Sequence, residues 1–296
     1  MHKKHNYRPI DFLVLIYSII NIAYILLGII MHGAGSDRLH EPLKHLAIFA
    51  GIILLVLFLE QWEKRKQGKL ITLIRDWYSI TLFLYFFEAT SDLNRTLFPE
   101  FIDDFFIRID AFIFGYQPSL EWGLNYDTWF LNEILHFAYF SYYLMGVFFL
   151  WVYLKNRERY LRYTFQLGFV FFLCYLTFNV LPVVGGRYQE GMMALAEEYR
   201  HGPFTHVMAF IYRMSPHQGG AFPSSHVAVA LLVNLCAFHY RPKTGWILLP
   251  LVILLTISTI FCHYHYFIDT IFGLFYGAGF YLLSSSIYNK KFMAAA

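Results

Sequence analysis

Two histidines of this chain lie where long apolar runs meet polar loops: AFPSSHVAVA contains His226, and STIFCHYHYFIDTIFG contains His265. Asp269 follows His265 by four residues, which places both side chains on one helical face if the last apolar helix begins near Tyr264. A carboxylate beside an imidazole fixes its tautomer and stabilises the imidazolium, so the other ring nitrogen can attack phosphorus or accept a proton. The alternative is that His265 and Asp269 only satisfy each other's hydrogen-bonding needs at a helix end. For this pair alone, neither interpretation is favoured.

The segment before His226 has the residue types of a helix start. Pro223 fits the first turn of a helix because it has no N–H, and Ser224 is a good N-cap. The amino end of such a helix offers free N–H groups and a positive dipole end to a phosphate. We therefore expect Ser224 and Ser225 to bind phosphate and His226 to donate a proton. Taken alone, an ordinary cap followed by a surface histidine is the simpler interpretation.

A third segment, LPVVGGRY, contributes Arg187 just past an apolar run. Gly185 and Gly186 allow a tight turn, and a guanidinium suits bidentate contact with phosphate. An arginine that snorkels to lipid headgroups is the common alternative. Because three separate segments bring phosphate-handling groups to helix ends, we interpret them as one site. Further candidates for contact with a headgroup, with a solvated loop face as the alternative, are Tyr188, Arg213, His217, Asp92 and Arg95.

The composition predicts the elements that position these residues. The chain is 58% hydrophobic and 15% charged, whereas a soluble domain averages about 45–50% apolar and about 25% charged residues. Apolar runs of the roughly 20 residues that span a bilayer recur along the whole length. We predict an all-α polytopic membrane protein with about eight spans, at 11–31, 45–61, 70–90, 129–154, 162–184, 224–240, 245–262 and 266–287. The first span lacks a clear cleavage site and is expected to be retained.

The loops predict the orientation, because cytoplasmic loops carry an excess of Lys and Arg. The basic clusters are Lys3, Lys4 and Arg8; Lys64, Arg65, Lys66 and Lys69; Lys155, Arg157, Arg159 and Arg162; Arg241 and Lys243; Lys290 and Lys291. Between Ser91 and Thr128 the chain holds Arg95 and Arg108 against Asp92, Glu100, Asp103, Asp104, Asp110, Glu121 and Asp127. Both termini are then cytoplasmic, and the candidate site lies on the periplasmic, extracellular or lumenal side.

Two stretches refine this outline. Residues 100–122 place aromatic and aliphatic residues between carboxylates at near-helical spacing, which predicts one or two short helices in the membrane interface. The three cysteines lie in or at the ends of apolar spans and are interpreted as core-filling residues rather than disulfides or metal ligands: Cys174, Cys236 and Cys262.

The site residues resemble the motifs of the type-2 phosphatidic acid phosphatase superfamily. The middle motif, Pro-Ser-Gly-His, resembles residues 223–226, with Ser225 in the glycine position. The last motif is matched by Ser258, His265 and Asp269, with Thr259 in place of an arginine. In the first motif Arg187 fits the arginine, while Val180 and Tyr188 replace a lysine and a proline.

The branch of that superfamily that looks most similar is the inositol phosphorylceramide synthase group, together with the sphingomyelin synthases. Its last motif reads His-Tyr-x-x-Asp, as in His265, Tyr266 and Asp269. The resemblance covers roughly 70–287 and implies a core of six helices at 70–296, preceded by two additional spans at 1–69.

The resemblance implies an integral-membrane lipid phosphatase or phosphotransferase that needs no metal or other cofactor. In its chemistry His265 attacks phosphorus to form a phosphohistidine while Asp269 orients the ring. His226 protonates the leaving alkoxide and then deprotonates the acceptor. The phosphate oxygens would be held by Arg187, Ser224, Ser225 and helix N–H groups. The expected partners are a membrane phospholipid donor and a water or lipid acceptor, with no nucleic acid.

Other functions remain open from the sequence. Within the same chemistry, the chain could be a simple phosphatase of phosphatidic acid or a polyprenyl pyrophosphate. A metal-dependent hydrolase would need His263 and His265 to converge with Asp269, which requires an extended segment because i and i+2 side chains of a helix diverge. A transporter would need ionisable residues deep in the spans, whereas the candidates lie nearer the helix ends: Arg75, Asp76, Glu88 and Glu133.

Overall fold

The computed structural model describes residues 8–66, 68–126, 128–189, 192, 202–214 and 217–293. These ranges are helical, and their only β feature is an isolated parallel bridge between Val183 and Gly220. Three charged residues used in the loop analysis lie outside the described residues: Lys3, Lys4 and Asp127. The α-helices are Pro9–His32 (α1), His40–Arg65 (α2), Lys69–Leu93 (α3), Asp103–Phe114 (α4), Pro118–Asn125 (α5), Trp129–Leu144 (α6), Gly146–Lys155 (α7), Arg157–Val180 (α8), Pro203–Met214 (α9), Ser225–Tyr240 (α10), Pro242–Phe261 (α11) and Phe267–Tyr288 (α12).

The predicted class, an all-α polytopic membrane protein, is confirmed. Within the described ranges seven segments are long and apolar enough to cross a membrane: Pro9–His32, Asp37–Arg65, Lys69–Leu93, Trp129–Lys155, Arg157–Val180, Pro242–Phe261 and Phe267–Met293. They coincide with seven of the eight predicted spans. The remaining predicted span, 224–240, is the shorter apolar helix α10.

Helix α10 lies at the centre of the bundle and packs against α8, α11 and α12. Its approach to α12 is close because two glycines of α12 face its backbone. A Cβ at Gly273 would lie 2.7 Å from the carbonyl oxygen of Ser224, and one at Gly277 would lie 2.6 Å from that of Ala228. Small residues four apart let membrane helices approach to backbone contact. This packing determines how far apart the segments that carry His226 and His265 lie.

The predicted interfacial segment forms α4 and α5. Helix α4 exposes an apolar face, on which the Phe112 side chain is 91% exposed. It ends at Gly115, whose φ of 77° is left-handed and suits a residue without Cβ. The opposite face buries Asp103 and Asp110, seven residues apart and therefore on one side of the helix.

A buried ionic cluster joins the helices at the end of the bundle remote from α4. Arg75 Nη2 lies 2.8 Å from Asp11 Oδ2, and both side chains are fully buried. Arg157 Nε lies 2.6 Å from Asp76 Oδ2, and Arg8 also pairs with Asp76. The cluster thus ties α1 to α3, and α3 to the start of α8.

The three cysteines are buried free thiols, as their positions in the sequence predicted: Cys174, Cys236 and Cys262.

Candidate active site

His265 lies in the short connection between α11 and α12, and its ring is held by a backbone carbonyl. The Nδ1 atom is 2.8 Å from the carbonyl oxygen of Ala221. Because a carbonyl only accepts, Nδ1 donates, and the neutral ring keeps the lone pair of Nε2. Burial lowers the pKa of His265 to about 4, so the imidazole is neutral at pH 7.

Asp269 is close to His265 but does not share its helix, because α12 begins at Phe267 rather than near Tyr264. Its Oδ2 lies 3.8 Å from His265 Nδ1, beyond hydrogen-bond distance. The same oxygen accepts the backbone N–H of Tyr266 at 2.8 Å and so caps α12. The other carboxylate oxygen is buried and has no hydrogen-bond partner among the described residues. Asp269 thus places a carboxylate beside the imidazole without fixing its tautomer.

His226 stands opposite His265 at the start of α10. The two ring centroids are 5.9 Å apart, and the rings meet edge to face. The predicted cap is confirmed, since Ser224 Oγ accepts the N–H of Val227 at 3.4 Å. The N–H of Ser224 donates to the backbone oxygen of Asp269 at 3.0 Å, which links the two histidine segments directly.

The histidines face a cavity of about 350 Å³ that runs from the loops into the bundle. That volume falls in the range of about 300–1,000 Å³ of ligand pockets. The polar end is lined by His226, His265, Ser225, Arg187 and Tyr188; Ser224 is fully buried and is not on the wall. The other end is apolar and lies between spans, with Leu84, Phe149 and Val233 on its walls.

Arg187 follows a turn at Gly185, where φ is 93°. Its guanidinium carbon lies 4.0 Å from the centroid of the Tyr212 ring and 5.9 Å from that of Tyr264. No carboxylate of the described residues lies within 4 Å of it. The arginine also borders a second pocket of about 40 Å³, shared with His136 and His263. The Arg187 guanidinium thus lies on the cavity wall, where two aromatic rings hold its charge towards the cavity.

The candidates for headgroup contact divide into two groups. Tyr188 and His217 line the cavity, where the Tyr188 hydroxyl donates to the His217 carbonyl at 3.2 Å. His217 stacks on Phe87 at 4.2 Å between centroids, and burial lowers its pKa to about 4. The other three do not line the cavity: Arg213 is exposed, Asp92 accepts from His45 at 2.9 Å, and Arg95 lies over Phe101.

The replaced motif positions carry no charge into the site. Thr259 is buried, and its Oγ1 lies 3.0 Å from Thr270 Oγ1. Val180 is an exposed residue at the end of α8. Arg187 is therefore the sole cationic side chain on the cavity wall among the described residues.

The arrangement needed for the rival metal site is not formed. His263 has a left-handed φ of 62°, and its Nδ1 donates to the carbonyl of Ser119. Among the described residues no three His, Cys, Asp or Glu side chains are grouped as ligands for a metal ion.

Two carboxylates of the predicted interfacial segment support the site, although the sequence analysis gave them no role in it. The carboxylate of Asp103 accepts the N–H of Gly185 at 2.9 Å, that of Val184 at 3.0 Å, and the hydroxyl of Tyr266 at 2.9 Å. It thereby joins the Arg187 loop to the residue after His265.

Asp110 lies seven residues after Asp103 on the same face of α4. Its carboxylate accepts the N–H of Phe267 at 2.7 Å and that of Ile268 at 3.1 Å, at the start of α12. The pKa of Asp110 is raised, because burial has a larger effect than the two N–H donors, which lower it. The signal available in the sequence was the seven-residue spacing, which puts both carboxylates on one face of an amphipathic helix.

Three tyrosines that the sequence analysis did not single out line the cavity: Tyr139, Tyr212 and Tyr264. Tyr212 is carried by α9, whose first turn is held by Glu133. The Glu133 carboxylate accepts the N–H of Phe204 at 2.8 Å and that of Thr205 at 3.0 Å.

Comparison with known proteins gives two matches. A family model described as PAP2 superfamily matches residues 105–283, more than half of the chain. A PA-phosphatase related-family protein of Dictyostelium discoideum is 39% identical over 69 residues, which cover 21% of this chain and 12% of that protein. The chain thus matches only a small part of that relative's length. No solved structure matches the chain.

Proposed function

The chain belongs to the PAP2 superfamily, and on that premise we propose that it is a lipid phosphatase or phosphotransferase that works through a phosphohistidine. Membership itself implies a phosphatase-type activity on lipids. The observation that carries the proposal is the pairing of His226 and His265, 5.9 Å apart between ring centroids, across a cavity that also holds Arg187.

In the proposed first step, Nε2 of His265 attacks phosphorus while the bond from phosphorus to the lipid oxygen breaks. Donation from Nδ1 to the Ala221 carbonyl leaves Nε2 unprotonated and aims the ring. Asp269, 3.8 Å from Nδ1, stabilises the positive charge that the ring gains. His226 gives a proton to the departing oxygen, and Arg187 with Ser225 holds the equatorial oxygens. Ser224 contributes by capping α10 rather than by contact.

In the second step His226 takes a proton from the acceptor, which attacks the phosphohistidine and releases His265. Water as acceptor gives a phosphatase, and a lipid hydroxyl gives a transferase. We favour transfer of a phospho-headgroup between lipids, as in inositol phosphorylceramide synthases. The apolar end of the cavity supports it, because it lets a lipid enter from between the spans. Hydrolysis is the second candidate, favoured by the name of the Dictyostelium relative, a PA-phosphatase related-family protein.

We also propose that both termini are cytoplasmic and that the site faces the periplasm, the exterior or a lumen. The distribution of Lys and Arg among the loops supports this orientation.

The test uses the full chain purified in detergent or reconstituted in liposomes, with EDTA present. Labelled phosphatidylinositol or phosphatidic acid is the donor, and ceramide or diacylglycerol is the acceptor. We expect His265→Ala to abolish turnover. We expect His40→Ala to leave it unchanged, because His40 is an exposed histidine at the start of α2.

Label that appears on the acceptor lipid would establish transfer, and free phosphate alone would establish hydrolysis. Acid-labile, base-stable label on the protein would support the phosphohistidine. Turnover that survives in the His265→Ala variant would overturn the mechanism.

A further inference from the structure

Three tyrosines from three separate elements form one packed wall of the cavity, here called the tyrosine cluster: Tyr139 of α6, Tyr212 of α9 and Tyr264 of the connection before α12. The rings of Tyr212 and Tyr264 are stacked, with centroids 4.6 Å apart and planes 15° apart. Tyr139 lies 4.2 Å from Tyr264 between centroids. Its hydroxyl oxygen is 2.7 Å from that of Tyr212. Each ring is thus held by the other two.

One face of the cluster carries Arg187. Its guanidinium lies 4.0 Å from the Tyr212 centroid, well within the roughly 6 Å at which a cation is attracted to an aromatic face. With no carboxylate of the described residues within 4 Å, the rings are what direct this charge to the cavity.

The edge of the same cluster contacts His226. The Tyr139 hydroxyl oxygen lies 3.2 Å from His226 Nε2, and the two rings are 4.7 Å apart between centroids. Nδ1 of His226 is buried and has no hydrogen-bond partner among the described residues. Burial raises the pKa of the Tyr212 hydroxyl well above its usual value, so this hydroxyl stays protonated and remains a hydrogen-bonding group.

We propose that Tyr139 and Tyr212 are positioning residues that hold the acid–base histidine and the phosphate-binding arginine on one rigid wall. In this arrangement Nε2–H of His226 donates to the Tyr139 oxygen, and the Tyr139 hydroxyl donates to Tyr212. The hydrogen on Nε2 is then fixed, and Nδ1 is the nitrogen that exchanges protons with the substrate. This inference deepens the proposed function and rests on it.

The proton balance follows from that assignment. The His226 ring is neutral in the empty site and takes up a second proton, on Nδ1, when the negatively charged substrate binds. When the bond from phosphorus to the leaving oxygen breaks, its electron pair stays on oxygen, which takes this proton from Nδ1. His226 is then neutral, still donates through Nε2, and has a lone pair on Nδ1. That lone pair takes the proton of the acceptor hydroxyl and restores the imidazolium. Tyr139 keeps its own proton throughout, so it acts through His226 and not on the substrate.

The kinetic test compares Tyr139→Phe with Tyr163→Phe, which removes a buried hydroxyl that has no partner in the described part of the chain. The substrates are dioctanoyl phosphatidic acid, whose leaving alkoxide needs a proton, and p-nitrophenyl phosphate, whose leaving group does not. General acid–base catalysis by a well-positioned side chain accelerates a reaction by about 10²–10⁴-fold. We therefore expect Tyr139→Phe to lower kcat on the lipid by about 10- to 100-fold, with little change in KM. The loss should be much smaller on the aryl ester, and Tyr163→Phe should match wild type. Equal losses on both substrates would mean a merely structural role and would overturn the proposal.

A second measurement does not depend on turnover. In protein labelled with ¹⁵N-histidine, the His226 ring signals are identified by their loss in His226→Gln. We expect a neutral ring protonated on Nε2 in wild type and a mixture of tautomers in Tyr139→Phe. Identical His226 spectra in the two proteins would overturn the inference even if the enzyme is active. If wild type turns over neither these phosphate esters nor labelled phosphatidylinositol with a lipid acceptor, the proposed function fails while this spectrum still decides the inference.

The arginine half of the proposal is tested with Tyr212→Leu and Tyr212→Phe. Orthovanadate, a phosphate mimic, is the probe, and its affinity is read from the rise in Tm with concentration. Loss of the aromatic face should weaken binding about tenfold in Tyr212→Leu, whereas Tyr212→Phe, which keeps the ring, should bind as wild type does. Equal affinity in Tyr212→Leu and wild type would show that the ring does not position Arg187.

Discussion

His265 is oriented by a neutral group, since its Nδ1 donates to the Ala221 carbonyl and the Asp269 carboxylate remains 3.8 Å away. A carbonyl fixes the tautomer as a carboxylate would, but it does little to favour the charged ring. The proposed nucleophile therefore stays neutral at pH values where an exposed histidine would take up a proton.

A stability prediction follows from the pKa of His265, lowered to about 4 from 6.5 by burial. As pH falls from 6.5 to 4, the His265 side chain takes up a proton in the unfolded chain before it does so in the folded chain. This group therefore lowers the free energy of unfolding by about 3 kcal/mol over that range. We expect the Tm of His265→Gln to fall less than that of wild type between pH 6.5 and pH 4.5, as measured by thermal unfolding in detergent. Parallel Tm curves for the two proteins would contradict the lowered pKa.

Asp103 carries a second prediction at this scale. Its carboxylate accepts the N–H groups of Val184 and Gly185 and the hydroxyl of Tyr266. Asp103→Asn replaces an acceptor oxygen by an NH₂ group that faces those donors. A hydrogen bond to a charged group contributes about 1.5–3 kcal/mol, so kcat/KM should fall about 10- to 100-fold as the Arg187 loop loosens. The matched control is Asp104→Asn, an exposed neighbour on α4, which should leave kcat/KM unchanged.

Among the elements, α10 and α12 decide the geometry of the two histidines. Their contact depends on Gly273 and Gly277, and the N–H of Ser224 adds a direct hydrogen bond to the backbone of Asp269. Neither helix needs to move for the rings to face each other.

Gly277→Ala tests this contact. A methyl group there would meet the Ala228 carbonyl at 2.6 Å, and backbone on both sides cannot yield without separating the helices. We expect a Tm several degrees lower and at least about a tenfold loss of kcat, because a shift of about 1 Å at a catalytic centre can reduce the rate 100-fold. Gly279→Ala, in the same helix with nothing within 4 Å of its Cβ, should keep full activity and gain slightly in Tm. A Gly277→Ala protein that behaved like Gly279→Ala would refute the close-packing argument.

These elements show what the sequence predicts well. Apolar length predicted the spans, and local chemistry predicted the Ser224 cap, because both depend on neighbouring residues. The roles of Tyr139 and Asp103 were not predicted, because they arise only when α6 meets α9 and α4 meets the Arg187 loop. The start of α12 was predicted near Tyr264, but the helix begins at Phe267. The Asp269 side chain accepts the backbone N–H of Tyr266, three residues earlier, and this cap leaves His265 outside the helix.

For the whole molecule, the two additional spans predicted at 1–69 are joined to the rest by buried charges. Asp11 of α1 lies 2.8 Å from Arg75, and Glu63 at the end of α2 lies 3.2 Å from the same guanidinium. Such pairs resist separation, because removing one partner of a buried ion pair destabilises a protein by about 3–5 kcal/mol.

We therefore predict that a chain shortened to 70–296 accumulates poorly in membranes, although it contains every residue of the candidate site. Arg75→Met in the shortened chain should raise the amount of folded protein, since it removes a buried charge that has lost two carboxylates. Size-exclusion chromatography in detergent measures this amount. An active, monodisperse 70–296 chain would show that the first two spans are dispensable.

The burial of all three native thiols has a practical consequence. Single reporter cysteines can be introduced on exposed loops of the otherwise native chain, since Cys174, Cys236 and Cys262 are shielded from an impermeant maleimide. Lys243, in the first turn of α11, and Glu100, in the loop before α4, are both exposed, and the proposed orientation places them on opposite faces of the membrane. The reporter variants are therefore Lys243→Cys and Glu100→Cys. Labelling of intact cells before and after permeabilisation would then read the sidedness of the enzyme directly, without first rebuilding it as a cysteine-free protein.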